Sequence, residues 1–223
     1  MKRIADPPRV TAAVIGIAGV VMIGVSFAVN GAPPPHATDD GLVAFAAGHR
    51  LAIVAGAWLQ AVGTMTLGAF ALMLASPPLA QARAKRDFVL LGVGALVTVS
   101  LLETVFYLFA AQAVSGEAAR FSVEAIQAVQ HLYFIVAAPA VFVSLGCAIS
   151  GSTSLPRPFA VAAWALGALF FVLGLTTLRQ AALSATVTSL GSAQAVWWLA
   201  AAVTVGRVPK APGYLAAERP NRE

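Results

Sequence analysis

Six long apolar runs, separated by short polar or proline-bearing connections, order this sequence from end to end. A helix rises about 1.5 Å per residue, so roughly 20 apolar residues cross a hydrocarbon core of about 30 Å. The first run covers Val10 to Val29 and is closed by Asn30-Gly31 and by Pro33-Pro34-Pro35, which cannot continue a helix. The second, His49 to Ala75, stops at Pro77-Pro78, and the third covers Phe88 to Val114. The fourth, His131 to Ser150, holds Pro139 as an expected kink. Pro156 and Pro158 precede the fifth run, Phe159 to Leu178, and a Thr/Ser-rich connection leads to the sixth, Leu190 to Val205. Gly206 and Pro209 then release a polar tail.

This pattern predicts an all-α fold, a polytopic membrane helix bundle with six transmembrane helices. Its parts are an N-terminal segment 1–9, a membrane domain 10–206 and a tail 207–223. Two connections are expected to be structured. Thr38-Asp39-Asp40 can cap a short interfacial helix through Phe45 to Ala47, and Ser122 to Gln130 is helical in pattern and continuous with the fourth run. Composition agrees: 59% of residues are hydrophobic and 10% charged, with mean hydropathy +0.84, whereas soluble domains carry about 25% charged residues. The alternative for the first run is a cleaved signal peptide behind Lys2 and Arg3. Its core is longer than the usual roughly 7–15 residues and no A-x-A site follows, so it is expected to be retained.

The net charge of +5 does not point to nucleic acid, because the basic residues are scattered between apolar runs rather than gathered on one face. They report orientation instead. Lys2, Arg3, Arg9, Arg83, Lys85, Arg86, Arg157, Arg207, Lys210, Arg219 and Arg222 fall on one side, against Arg50, Arg120 and Arg179 on the other. Both termini are therefore expected in the cytoplasm of a cell whose plasma (inner) membrane holds the chain. The Ala-, Gly- and Arg-rich composition is compatible with a bacterium of high GC content. Cys147 is the single cysteine, so an intrachain disulfide is excluded by count.

Small residues at i, i+4 spacing let helix backbones approach where lipid supplies no hydrophobic gain. Ala12 and Gly16, Ala57 and Ala61, Ala140, Ser144 and Ala148, and Ala163 and Gly167 form such rows. They are expected to pack within the monomer; a homo-oligomer interface is the alternative. Trp164, Trp197 and Trp198 are expected as headgroup anchors and Trp58 as core.

Glu103 carries the most chemical information, because an ionisable group inside a span is costly and kept for a reason. Ser100, Glu103 and Tyr107 share one helix face, bordered by Thr104, and that face must turn into the bundle. On the second run His49, Gly56, Gln60 and Thr64 fall near one face, with Gly63 beside them. Gln194 of the sixth run reaches a similar depth, and His131, Arg50 and Arg179 lie near outer helix ends. The polar groups thus gather in the outer half, which predicts a pocket open to the outer side. The bland alternative is that Glu103, paired with an Arg or an amide such as Gln60 or Gln194, holds helices in register.

His49, Glu103 and His131 are a minor metal alternative, without an H-x-x-x-H or H-E-x-x-H spacing to support it. No nucleophile elbow, Walker sequence or dinucleotide fingerprint stands in a fitting context, no internal repeat is evident, and no cofactor is expected. Functional readings divide three ways. A small or lipidic ligand bound from the outer side for sensing, transfer or transport leads, with membrane lipids around it. An enzyme using Glu103 as general acid/base near His131 comes second. A structural subunit with small-residue partner faces comes third.

A Pro-bearing first outer loop, Gly56-Ala57-Trp58-Leu59-Gln60 in the second run and Leu101-Leu102-Glu103 in the third carry a resemblance. On these residues the chain resembles a group of bacterial six-span membrane proteins of similar length. The resemblance implies the membrane fold and carries no catalytic residue across.

Overall fold

A computed structural model describes residues 7–31, 33–34, 36–76, 82–150, 155–177 and 184–207. The chain is all-α. Its helices are α1 Pro7–Val29, α2 Asp39–Leu74, α3 Ala82–Gln112, α4 Gly116–Leu132, α5 Ala138–Ile149, α6 Arg157–Thr177 and α7 Ser184–Arg207. A single π turn, Tyr133–Ala137, joins α4 to α5, so residues 116–149 form one rod. Among the described residues, five rods are long and apolar enough to cross a membrane: α1, α2, α3, α4–α5 and α6.

The rods close a ring in chain order. α1 lies against α2 and α7, α2 against α3, α3 against the α4–α5 rod, that rod against α6, and α6 against α7. Aromatic rings fill the centre: Phe70, Phe142, Phe170, Trp197 and Trp198 are all buried. Phe142 stacks on Phe170 and meets Trp197 edge-on, with centroids 6.0 and 5.4 Å apart. The outside is apolar as well. Val10, Val14, Ile17, Val21 and Val25 of α1 stand exposed at i+3 and i+4 spacing, a stripe too large for a water-facing surface.

The small-residue rows face neighbours within the chain. Gly92 of α3 sits where a β-carbon would stand 2.7 Å from Ser144 Oγ and 2.8 Å from the Ala140 carbonyl oxygen. Gly16 likewise meets Ala202 and Phe70, and Gly167 meets Val143. Ala57 and Ala163 are completely buried.

Two sets of expectations need correction, those for the segment behind Thr38 and those for the tryptophans. The segment behind Thr38 is no separate interfacial helix: Thr38 caps α2 by accepting from the Gly41 amide at 3.2 Å, and α2 then runs unbroken for 36 residues. That is about 54 Å of helix, so one end stands well clear of a 30 Å core. Trp58 is 63% exposed, not core, whereas Trp197 and Trp198 are 5% and 3% exposed and central, not surface anchors. Hydropathy places a ring at a depth but not on a face; Trp197 is drawn inward by the ring cluster and by its Nε1 donating to the Phe159 carbonyl at 3.2 Å. Pro139, where a kink is expected, sits within the continuous rod. It lies in the first turn of α5, and the π turn before it, with the Ala138 amide donating back to Tyr133, gives the ring room.

The expected continuity of Ser122–Gln130 with the fourth run is found, and the helix extends back to Gly116, where Ser115 accepts from the Ala118 amide at 3.3 Å. The N-termini of α2 and α4 therefore stand at one end of the bundle. Arg120 Nε donates to Asp39 Oδ1 at 2.7 Å and ties them together. Residues 1–6, 32, 35, 77–81, 151–154, 178–183 and 208–223 lie outside the described residues.

Candidate functional site

The polar side chains meet where α2, α3 and α4 converge, toward the end capped by Thr38 and Ser115. α2 and α3 run antiparallel, so the polar stripe on each meets the other turn by turn. Thr64 Oγ1 and Ser100 Oγ lie 2.9 Å apart. One turn nearer the capped end, Gln60 Nε2 donates to Glu103 Oε2 at 2.5 Å. Beside it Thr104 Oγ1 donates to the Ser100 carbonyl at 2.8 Å and reaches the Ala57 carbonyl at 3.4 Å. Each pairing satisfies groups that would be costly to strand away from water.

Glu103 is the centre. It is 7% exposed, and both carboxyl oxygens are engaged, because Gln130 Nε2 of α4 donates to Oε1 at 3.0 Å. The carboxyl thus joins three helices through two amides, and its bonded partners are amides rather than cations.

Above it, Tyr107 forms part of the wall of a cleft of about 50 Å³. Leu42, Phe45, Ala46 and Ile53 of α2, Ala110 of α3, Ala119, Val123 and Ile126 of α4, and Gly31 and Pro33 of the α1–α2 loop complete it. A larger concavity along Arg157, Pro158, Val161, Ala162 and Ala165 is a broad open groove on α6.

Two side-chain amides hold buried atoms with no hydrogen-bond partner among the described residues. Gln60 Oε1 is buried without a partner, and so are both amide atoms of Asn30 at the end of α1. Asn30 lies directly against Gly56, one helical turn from Gln60, in space that any β-carbon at 56 would take. Ser26 Oγ donates to the Gly56 carbonyl at 2.8 Å and fixes α1 in that position.

The expected site residues divide accordingly. Ser100, Glu103 and Gln60 come together as their stripes predict, and Tyr107 stands next above them. Gln194 does not reach Glu103; its Oε1 accepts from Tyr133 OH at 2.5 Å. His49 is exposed, stacked on Phe45 with Nδ1 against the Phe45 carbonyl at 3.0 Å, and His131 Nδ1 lies 2.9 Å from the Gln127 carbonyl. Arg50 is exposed, and Arg179 lies outside the described residues. His49, Glu103 and His131 are not brought together, and among the described residues no three His, Cys, Asp or Glu side chains are placed to share a metal ion.

Sequence reasoning passed over Gln130, Tyr133, Asn30 and Ser26. Gln130 stood one residue before the fourth apolar run, and an amide abutting such a run on a continuous helix was the available signal. Asn30 read only as a helix stop. Comparison with protein-family models, with curated proteins and with solved structures gives no match.

Proposed function

We propose that this chain is a six-span protein of the plasma (inner) membrane, with α7 as its sixth span and both termini cytoplasmic. It binds a small ligand, or the polar end of a lipidic one, from the outer side. The basic residues of the connections support the orientation, since Arg9, Arg83, Lys85, Arg86, Arg157 and Arg207 all lie at the end opposite the α2 and α4 caps.

One observation carries the binding reading. A buried carboxyl, clasped by amides from two other helices, stands one helical turn from Tyr107, which helps to wall a small cleft near the capped end. Intramembrane carboxyls are kept where they serve a ligand, an ion or a helix contact, and the unmet hydrogen-bonding capacity of Gln60 Oε1 beside this one favours a ligand. Ordinary ligand pockets hold roughly 300–1,000 Å³. The cleft of about 50 Å³ is walled almost wholly by apolar side chains and admits only a small part of a ligand beside the carboxyl. Membrane lipids surround the apolar exterior.

The test is mass spectrometry of small molecules co-purified with the gently extracted protein, followed by thermal unfolding with the identified compound added to wild type and to Glu103→Gln. Protection of wild type and loss of protection in the variant supports the reading. Equal protection of both assigns Glu103 to a structural clasp and overturns it.

A further inference from the structure

We infer that α6 carries a site for an anionic phospholipid at the end opposite the α2 and α4 caps, with the lipid phosphate on Arg157 and one acyl chain along Pro158, Val161, Ala162 and Ala165. The site lies apart from Glu103 and does not depend on the reading of that carboxyl.

The groove on α6 holds about 480 Å³ and is walled almost wholly by apolar atoms, with Arg157, the first residue of the helix, at its end. The residues 158, 161, 162 and 165 have the i, i+3, i+4, i+7 spacing of a single helix face. Their side chains are short, while Trp164 and Leu169 stand exposed on the same helix. From Arg157 to Ala165 the helix rises about 12 Å, most of the roughly 15 Å of one hydrocarbon leaflet. One acyl chain therefore lies along the strip while its headgroup stays at the interface.

Charge selects the occupant. Arg157 is exposed and, among the described residues, has no ion-pair or hydrogen-bond partner. α6 has no acidic residue in its first turn, so a cation stands unopposed at the positive end of a 21-residue helix. The described residues of that end carry Arg9, Arg83, Lys85, Arg86, Arg157 and Arg207 against Asp87 alone. A phosphate diester offsets both the guanidinium and the helix end, and its oxygens match the guanidinium fork. A choline headgroup would bring its own cation to this end, so a lipid with net negative charge is favoured.

Two other occupants fit less well. A second copy related by a twofold axis at the strip would set Arg157 near Arg157. The chain after Arg207 is net basic, with Lys210, Arg219 and Arg222 against Glu218 and Glu223, the wrong sign for this cation.

Native mass spectrometry of the full chain released from detergent micelles measures the first bound lipid in titrations with dioleoyl phosphatidylglycerol and with dioleoyl phosphatidylcholine. Phosphatidylglycerol should bind about fivefold more tightly, the effect of one interfacial cation. Arg157→Gln should remove that preference. Ala165→Trp fills the strip with the charge intact and should weaken binding about threefold or more. Arg83→Gln, at the same end but off α6, should leave the first lipid within about twofold of wild type. Equal binding of the two lipids by wild type, or equal losses from Arg83→Gln and Arg157→Gln, overturns the site. Displacement of phosphatidylglycerol by inorganic phosphate at matched ionic strength assigns Arg157 to a soluble anion and also overturns it. So does a dimer that Ala165→Trp dissociates, which seats a second copy on the strip. The two-lipid comparison uses wild type and needs no variant to fold.

Discussion

The side-chain amide of Gln60 and the carboxyl of Glu103, 43 residues apart in sequence, meet at 2.5 Å and fasten α2 to α3 along a buried polar stripe. Glu103→Leu removes the acceptor for two amides at once, that of buried Gln60 and that of half-buried Gln130. Each stranded donor costs about 1–3 kcal/mol, so this variant should unfold well below wild type. Gln60→Leu combined with Glu103→Leu strands only Gln130 and should recover part of the loss. A double-mutant cycle in micelles measures the coupling, expected at about 0.5–2 kcal/mol. Zero coupling would remove the contact from the account of stability.

Gly92 and Gly94 stand two residues apart on α3 and should respond oppositely to alanine. At 92 a methyl group meets Ser144 Oγ and the Ala140 carbonyl oxygen at 2.7 and 2.8 Å, and the carbonyl cannot move without shifting α5. At 94 nothing lies within 4 Å. Gly92→Ala should therefore lower stability by about 1–3 kcal/mol. Gly94→Ala should be neutral, or stabilising by up to about 1 kcal/mol through helix propensity. Thermal unfolding of the pair checks it, with wild type as reference.

The four tryptophans should separate in two pairs when single-Trp variants are reconstituted with lipids brominated along their acyl chains. Trp58 and Trp164, 63% and 39% exposed, should be quenched strongly. Trp197 and Trp198, 5% and 3% exposed, should be quenched weakly. Equal quenching of all four would contradict the packing of the aromatic centre.

Orientation can be read with single cysteines in a Cys147→Ser background. Glu117→Cys, at the exposed start of α4, should react with a membrane-impermeant maleimide in intact cells. Ser76→Cys and Arg83→Cys, both exposed at the opposite end, should react only after the membrane is opened. The reverse pattern would invert the proposed topology.

Much of the site could be read from residue order, for a definite reason. A carboxyl and two hydroxyl-bearing turns on α3 cannot face acyl chains, so Ser100, Glu103 and Thr104 had to turn inward, and the matching stripe through Gln60 and Thr64 was the natural partner. Gln130 escaped because hydropathy marked it as lying outside a span, although its helix runs on through the span. Gln194 was drawn away from Glu103 by Tyr133, whose position is set by the π turn and by ring contacts with Phe134 and Phe170. The two histidines show the limit of residue type as a guide. Both rings are accounted for by a carbonyl four residues earlier on their own helix.

Sequence alone determined that the chain is helical, that its long apolar runs reach membrane length, and that Glu103 is sheltered. These properties depend on composition summed along one segment and on a 3.6-residue period. Tertiary structure alone decided which amides clasp that carboxyl, which tryptophans turn inward, and that Asn30 lies against Gly56. Each of those depends on the rotation of one helix about its axis relative to another, set by where a glycine or alanine lets two backbones touch, and no single run of residues encodes it.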